Sequence, residues 1–328
     1  MKIVFLGSGG FAVPTLERLH QLSSRHSLLR VVTRPDRPAG RGKQLRPTPV
    51  RQRAEELGLA CDAPSSANDP EYLPELQKLA ADLFLVADYG EFLRKPIREF
   101  GSVGMFNLHG SLLPRHRGAA PVAYAILRGD ETTGVTLFRI VRELDGGPMV
   151  DALSTKIDPN ETAGELENRL ALLAADLTER NLDKFASGEF VEEPQDETKN
   201  THASKLDKKE AAIDWRAPTA EIARAVRAYN PWPGAYSFLQ RAQLAPERTV
   251  CWAAREVVES IESSSLRPGE VYVAEKRHLY VRCGDGWLEV THVQRPGKAA
   301  TPAADYLNGT RLQTGDVFGG AEREESTR

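Results

Sequence analysis

The feature that most constrains this chain is an alternation along its first half. Short apolar runs rich in β-branched and aromatic residues take turns with stretches at helical spacing. Residues 2–6 read as a first strand, 13–22 as a helix and 28–33 as a second strand. Residues 70–81 read as a helix, with Asp69 as N-cap and Pro70 at the first helical position. Residues 82–87 (DLFLVA) and 103–108 (VGMFNL) read as buried strands, 121–128 as a helix and 134–141 as a further strand. Alternation of this kind predicts an α/β domain with a mostly parallel sheet and helices on both faces. A long helical pattern over 161–185 closes it.

At 328 residues the chain is too long for one compact core and predicts two domains. The first is expected over 1–189. Residues 190–209 turn polar and charged and read as a linker. The second domain, 210–318, carries one helical stretch at 219–228. Short strands at 249–252, 269–273, 279–283 and 286–293 follow, broken by Pro and Gly, which predicts a small β-barrel. The tail, 319–328 (GGAEREESTR), is expected to be disordered.

Apolar residues make up 41% and charged residues 27%, the values of an ordinary soluble globular protein, and the formal net charge is only -3. No global basic field points to nucleic acid, so any such partner must be held by a local patch. Cys61, Cys251 and Cys283 are far apart and show no CxxC spacing. A disulfide framework or zinc site is not expected, and the default is a reducing, cytoplasmic setting. The opening MKIVFLGSGG reads as a buried strand rather than a signal peptide. No apolar stretch approaches the roughly 20 residues that span a bilayer.

Three segments carry chemistry. Gly7-Ser8-Gly9-Gly10-Phe11-Ala12 follows a strand and opens a helix, as in dinucleotide-binding turns, and Arg34 ends the second strand. An NADP-dependent oxidoreductase is one reading; a tight structural turn is the other. Next, a long Pro- and Gly-rich loop carries Arg34, Arg37, Arg41, Lys43 and Arg46 against the single acid Asp36. Such a local field suits a phosphate backbone, although a solvated surface loop is the plainer alternative. Lastly, Asn107 and His109 sit two apart at a strand end, so their side chains share a side. That end is the carboxyl edge of the sheet, where open α/β folds bind ligands. The strand GVTLFRIV leads on to Asp145. No nucleophile elbow and no metal-ligand spacing accompanies them. An amide donor, an imidazole and a carboxylate suit direct acyl transfer, in which Asn107 and His109 donate to an oxyanion and Asp145 orients the imidazole.

Asn107-Leu108-His109-Gly110-Ser111-Leu112-Leu113-Pro114, followed by Arg117-Gly118-Ala119-Ala120-Pro121, resembles the signature of folate-dependent formyltransferases. Gly134-Val135-Thr136 through Asp145 resembles the family's second signature. The loop RPDRPAGRGK, the run Ile213-Asp214-Trp215 and the stretch from Arg227 to Ala235 (RAYNPWPGA) are similar to the tRNA-directed members of that family. The resemblance covers nearly the whole chain. It implies a Rossmann-like first domain, an OB-like barrel, 10-formyltetrahydrofolate as donor and the α-amino group of methionyl-initiator tRNA as acceptor. It implies that Asn107, His109 and Asp145 are catalytic and that Ser111, Leu112, Leu113 and Pro114 line the folate site. The basic-loop cations would hold tRNA, with no metal and a monomeric enzyme. Asp88, before Tyr89-Gly90, and Pro148, before Met149, depart from the family pattern. Amino-sugar nucleotide formyltransferases share the HGSLLP and PWPGA runs and are the competing acceptor class. A non-catalytic RNA-binding protein is a further alternative, and it leaves Asn107, His109 and Asp145 without a role.

Overall fold

The computed structural model describes residues 1–39, 44–241, 244–257, 261 and 265–320. The chain divides into two compact units. One is built from 1–122, 131–157 and 165–204, the other from 123–130, 158–164 and 205 onward.

The elements run β1 (Lys2–Gly7), α1 (Val13–Gln21), β2 (Ser27–Val32), β3 (Arg37–Ala39), β4 (Gln44–Arg46), α2 (Pro49–Glu56), β5 (Cys61–Asp62), α3 (Leu73–Lys78), β6 (Leu83–Ala87), α4 (Lys95–Arg98), β7 (Gly104–His109), β8 (Arg117–Gly118), α5 (Pro121–Leu127), β9 (Thr132–Arg139), β10 (Met149–Lys156), α6 (Ala163–Ser187) and β11 (His202–Ala203). The main sheet has the order β10-β9-β7-β6-β1-β2-β5. Strands β7, β6, β1, β2 and β5 are parallel, as the alternating pattern predicts. Strands β9 and β10 add an antiparallel flank. The unbroken apolar runs are the central strands: Val4, Phe5, Leu6, Leu83 and Phe106 are fully buried. A strand covered on both faces has no polar side to alternate with. Strand β10, by contrast, alternates half-buried and exposed residues at the sheet's edge, and no apolar run announces it.

Helix α3 is shorter than the 70–81 that the spacing predicts. Pro74 has no N–H, and its ring would meet the carbonyl four residues earlier in a helix running through. The chain first makes a turn in which Tyr72 N and Leu73 N donate to Asp69 O, and the Asp69 carboxylate accepts from Glu71 N. Part of the stretch read as linker is built into the first unit: β11 pairs with β8, and Thr201 O accepts from Arg117 N.

In the second unit, α7 (Thr219–Ala228) precedes β12 (Ala235–Gln240), β13 (Glu247–Val257), β14 (Val271–Ala274), β15 (His278–Arg282), β16 (Trp287–Gln294), β17 (Thr301–Pro302), α8 (Ala303–Thr310) and β18 (Val317–Gly319). The antiparallel order β14-β15-β16-β13-β12-β18 curls until its edges meet. Val271 N donates to Asp316 O and Phe318 N to Gly269 O, both at 2.8 Å, which joins the edges into a small OB-like barrel. Its interior is filled by Val271, Leu279, Val281, Leu288 and Val293, all fully buried, and α7 packs Ile222 and Val226 against it. Gly319, read as tail, lies in β18 opposite Phe238. Residues 321–328 lie outside the described residues.

Candidate active site

Strand β7 brings the first two site residues to the carboxyl edge of the parallel sheet. Its register pairs Asn107 with Val86 of β6 and His109 with Thr136 of β9. Period-2 geometry puts Asn107 and His109 on one face. The Asn107 side chain is half-buried and has no hydrogen-bond partner among the described residues. His109 is 6% exposed, and its Nε2 donates to His116 O at 2.8 Å. A carbonyl only accepts, so Nε2 must carry the hydrogen. Nδ1 is then the ring atom left for chemistry, and it lies 3.8 Å from Asp145 Oδ2.

Asp145 arrives by a route the sequence does not suggest. Because β9 is antiparallel to β7, its end places Arg139 beside Phe106, away from His109. The connection to β10 must fold back. Asp145 itself adopts φ +49°, and at Gly147 a Cβ would sit 1.8 Å from Arg139 O, so only glycine fits there. Asp145 Oδ2 accepts from Gly118 N at 2.8 Å. Gln195 Nε2 donates to both Asp145 O and Gly147 O at 2.7 Å. Gln195 Oε1 in turn accepts from Arg117 Nε and Nη2, and Arg117 reaches on to Glu197. Gln195 and Arg117 therefore hold the loop that presents Asp145. Sequence reading misses Gln195 because it stands in a polar stretch that looks like a solvated linker; Arg117 is visible only as part of a motif.

The turn after His109 is rigid. The Ser111 hydroxyl donates to Arg115 O at 2.6 Å, while Thr136 Oγ1 donates to Ser111 O and accepts from Leu113 N. Ser111, Leu113 and Pro114 are buried and Leu112 half-buried. The Ser111 side chain thus faces inward and braces the turn.

The glycine turn after β1 is not arranged for a dinucleotide. Ser8 N and Gly9 N both donate to Asp88 O, so two of the N–H groups that would cradle a phosphate are used. The Asp88 carboxylate packs against Gly9, where a Cβ would come within 1.7 Å of Oδ2. It puts negative charge where a pyrophosphate would lie. Asp88 is exposed as a residue, but desolvation of its carboxylate, and secondarily the Glu167 carboxylate, push its carboxyl up to about 6. Arg34, the candidate for a 2′-phosphate, is ion-paired to Glu91 at 2.5 Å.

The same ion pair takes Arg34 out of the set of free loop cations. Arg37 and Arg46 stand directly opposite each other on the hairpin β3–β4, both exposed. Neither has an acidic partner among the described residues, because Asp36 is held by Arg51. Like charges set opposite across two strands repel, so the hairpin offers an uncompensated positive site. Arg41 and Lys43 lie outside the described residues.

The formyl transferase family model matches residues 1–180, and the model of the formyl transferase C-terminal domain matches 205–311. The chain belongs to the formyltransferase family. Among curated formyltransferases, the methionyl-tRNA formyltransferase of Methylococcus capsulatus is 42% identical over 312 residues, covering 95% of this chain and 98% of that one. The protein of the same name from Thermobifida fusca is 40% identical over 322 residues, covering 97% and 99%. Among solved structures, the N-formyltransferase of Helicobacter canadensis, in complex with folinic acid and dTDP-3-aminofucose, aligns with TM-score 0.65 and 18% identity, covering 90% of this chain and 99% of that one. HypX from Aquifex aeolicus, in complex with tetrahydrofolic acid, aligns with TM-score 0.60 and 18% identity; this formyltransferase chain is covered to 94% and spans 47% of HypX. At these identities the solved structures speak for the fold. Among the described residues no helix is long and apolar enough to cross a membrane.

Proposed function

We propose that this protein is a cytoplasmic methionyl-tRNA formyltransferase, moving the formyl group of 10-formyltetrahydrofolate to the α-amino group of methionyl-initiator tRNA. The observation that carries the chemistry is the His109 ring, fixed through Nε2 so that Nδ1 faces Asp145 at 3.8 Å, on the same strand face as the Asn107 amide, which has no hydrogen-bond partner among the described residues. The folate supplies an activated formyl carbon. The amine nitrogen forms a bond to that carbon, a tetrahedral oxyanion develops, and the bond to the donor nitrogen breaks. Asn107 donates to the oxyanion, and His109, when protonated, donates through Nδ1. Asp145 orients the ring and accepts the proton that the amine loses, with His109 able to return one to the leaving nitrogen. An α-amino group has a reference pKa of about 7.7–8.0, so much of the acceptor is already free base near neutrality and orientation matters more than basicity. Leu112, Leu113 and Pro114, on the rigid turn beside His109, are assigned to the folate site; Ser111 braces that turn from within.

The acceptor assignment is supported by relatives near 40% identity over almost the whole chain and by the uncompensated Arg37–Arg46 pair. Arg41 and Lys43 extend that basic loop in sequence. The decisive experiment mixes purified protein with 10-formyltetrahydrofolate and either methionyl-tRNA or an amino-sugar nucleotide. Formyl product on the tRNA alone is expected. Product on the sugar alone would keep the catalytic trio and overturn the acceptor.

A further inference from the structure

Asp88 stands at the carboxyl edge of the parallel sheet, and neither the fold nor the mechanism above employs its side chain. It follows directly on β6, whose register pairs Val86 with Asn107 and Ala87 with Leu108. Neighbouring strands lie about 4.8 Å apart, so Asp88 is about one strand spacing from His109. On its other side is β1, whose Gly7 pairs with Ala87. Between β6 and β1 the strand order reverses, which marks the crevice where open α/β sheets take their ligands. The backbone is fixed there. Asp88 O accepts from Ser8 N at 3.0 Å and from Gly9 N at 3.3 Å, and the residue takes φ +43°, a left-handed conformation. Its carboxylate lies against Gly9 and has no hydrogen-bond or ion-pair partner among the described residues. The charged group that acts on it is a second carboxylate, Glu167 of α6. Both carboxyls are raised, Asp88 to about 6, chiefly by desolvation. An unpartnered charge on a strained residue costs stability, and such residues gather where a ligand binds.

A carboxylate accepts hydrogen bonds and attracts a cation. Two groups in the proposed reaction suit it: the α-ammonium of the acceptor and the N–H groups of the donor's pterin ring. The strand order decides between them. Along the carboxyl edge, β2 leads into the β3–β4 hairpin with Arg37 and Arg46, then come β1 and β6, then β7 with Asn107 and His109. The turn assigned to the folate lies beyond β7, since Leu113 N donates to Thr136 Oγ1 of β9. Asp88 is therefore on the hairpin side of Asn107, and the folate turn is on the other. An acceptor held at the hairpin and reaching for Asn107 passes Asp88 with its amine leading. With a reference pKa of about 7.7–8.0, part of that amine arrives as ammonium at neutral pH, with no lone pair for attack.

We propose that Asp88 receives the acceptor's α-ammonium, accepting a hydrogen bond from it and taking one of its protons, so that the free amine is delivered to the formyl carbon. The N–H bond breaks, its electron pair stays on nitrogen, and an O–H bond forms on the carboxyl, which then releases the proton to solvent. Asp145 keeps the later proton, the one lost once the C–N bond has formed. A carboxyl raised to about 6 is a closer match to the amine than an ordinary one. This role of Asp88 rests on the methionyl-tRNA reading and deepens it, at a position that departs from the family pattern.

The test compares the full-length wild type with two variants. Asp88→Asn keeps the side chain's shape and its tolerance of positive φ. Gly9→Ala keeps the charge and moves it, because a Cβ there would come within 1.7 Å of Asp88 Oδ2, while φ -84° at Gly9 accommodates alanine. Asp88→Asn should raise KM for methionyl-tRNA by about tenfold or more at pH 7, as for loss of a hydrogen bond to a charged group. It should leave KM for 10-formyltetrahydrofolate and the inhibition constant of deacylated tRNA unchanged, since deacylated tRNA carries no amine. Its deficit in kcat/KM should be largest near about pH 6.5 and shrink toward about pH 8.5, as the free acceptor loses its proton. Gly9→Ala should show the same pattern more weakly. Melting curves on the same preparations separate these effects from misfolding. An unchanged KM for methionyl-tRNA in Asp88→Asn would overturn the proposal. So would a deficit constant with pH, or an equal weakening of deacylated tRNA. A raised KM for the folate alone would overturn it in favour of a contact with the pterin ring. A wild type that formylates methionyl-tRNA while Asp88→Asn matches it loses only the role of Asp88. A wild type that formylates no methionyl-tRNA loses the acceptor reading, and the role of Asp88 with it.

Discussion

At the scale of the residue, the proposed mechanism divides the work between atoms whose partners are fixed and atoms left free. His109 has one nitrogen fixed to a carbonyl and one facing Asp145, while the Asn107 amide has no hydrogen-bond partner among the described residues. Asn107→Ala should therefore cut kcat by about 10²–10³ with little change in KM, as for loss of one oxyanion donor; near-normal turnover in a steady-state assay would remove it from the mechanism. Gln195 acts one step back, holding two carbonyls of the Asp145 loop and accepting from Arg117. Gln195→Leu should lower stability by about 1–3 kcal/mol, because buried polar groups are left unpaired, and should lower kcat together with it. Chemical denaturation and kinetics on the same preparation check both. Asp88 has a sign of its own. Its carboxyl is raised from an ordinary value near 4 to about 6, first by desolvation of the carboxylate and then by Glu167, although the residue as a whole stays exposed. The folded protein then binds a proton more tightly than the unfolded chain does, so stability falls as pH rises from about 4 to about 6 and the penalty is fully present above that. Asp88→Asn should be the more stable protein at pH 7, and the gap should close below pH 4. A gap that stays constant with pH would mean Asp88 is not perturbed.

Among the elements, the hairpin β3–β4 is the clearest case of a structure that trades stability for a charge arrangement. Arg37 faces Arg46 with no acid between them. Arg37→Gln should leave stability unchanged or raise it by a few tenths of a kcal/mol, since a cross-strand repulsion is removed. The same change should weaken tRNA binding and flatten its salt slope by about 0.7–0.9. Melting curves and filter binding should thus move in opposite directions; matching losses would mean the arginine is structural. The β9–β10 connection makes the contrasting case. Its reversal needs Gly147, where a side chain would strike Arg139 O, so Gly147→Ala should displace Asp145 and lower activity more than it lowers stability.

For the whole molecule, a net charge of -3 means that RNA binding depends on where the cations lie and not on how many there are. Arg37, Arg41, Lys43 and Arg46 are the candidates named above. With each phosphate contact contributing about 0.7–0.9, log K for tRNA should fall with log salt at a slope no steeper than about 4. A steeper slope in binding isotherms at several salt concentrations would require contacts elsewhere.

The sequence by itself determined the fold class, because strands buried on both faces must be continuous apolar runs and the helices between them must be amphipathic. It also placed Asn107 and His109 on one strand end, since period-2 geometry is a local property. Local spacing could not reveal that β9 runs antiparallel to β7, and so it could not show how Asp145 returns to His109. That path depends on Gly118, Gly147 and Gln195, which are close only once the sheet has formed. Nor could spacing distinguish Arg34, paired to Glu91 across 57 positions, from Arg37, which has no such partner among the described residues. A charge in a sequence carries no record of its counter-ion. Only the tertiary structure decides which charges are neutralised at home and which are left for a ligand.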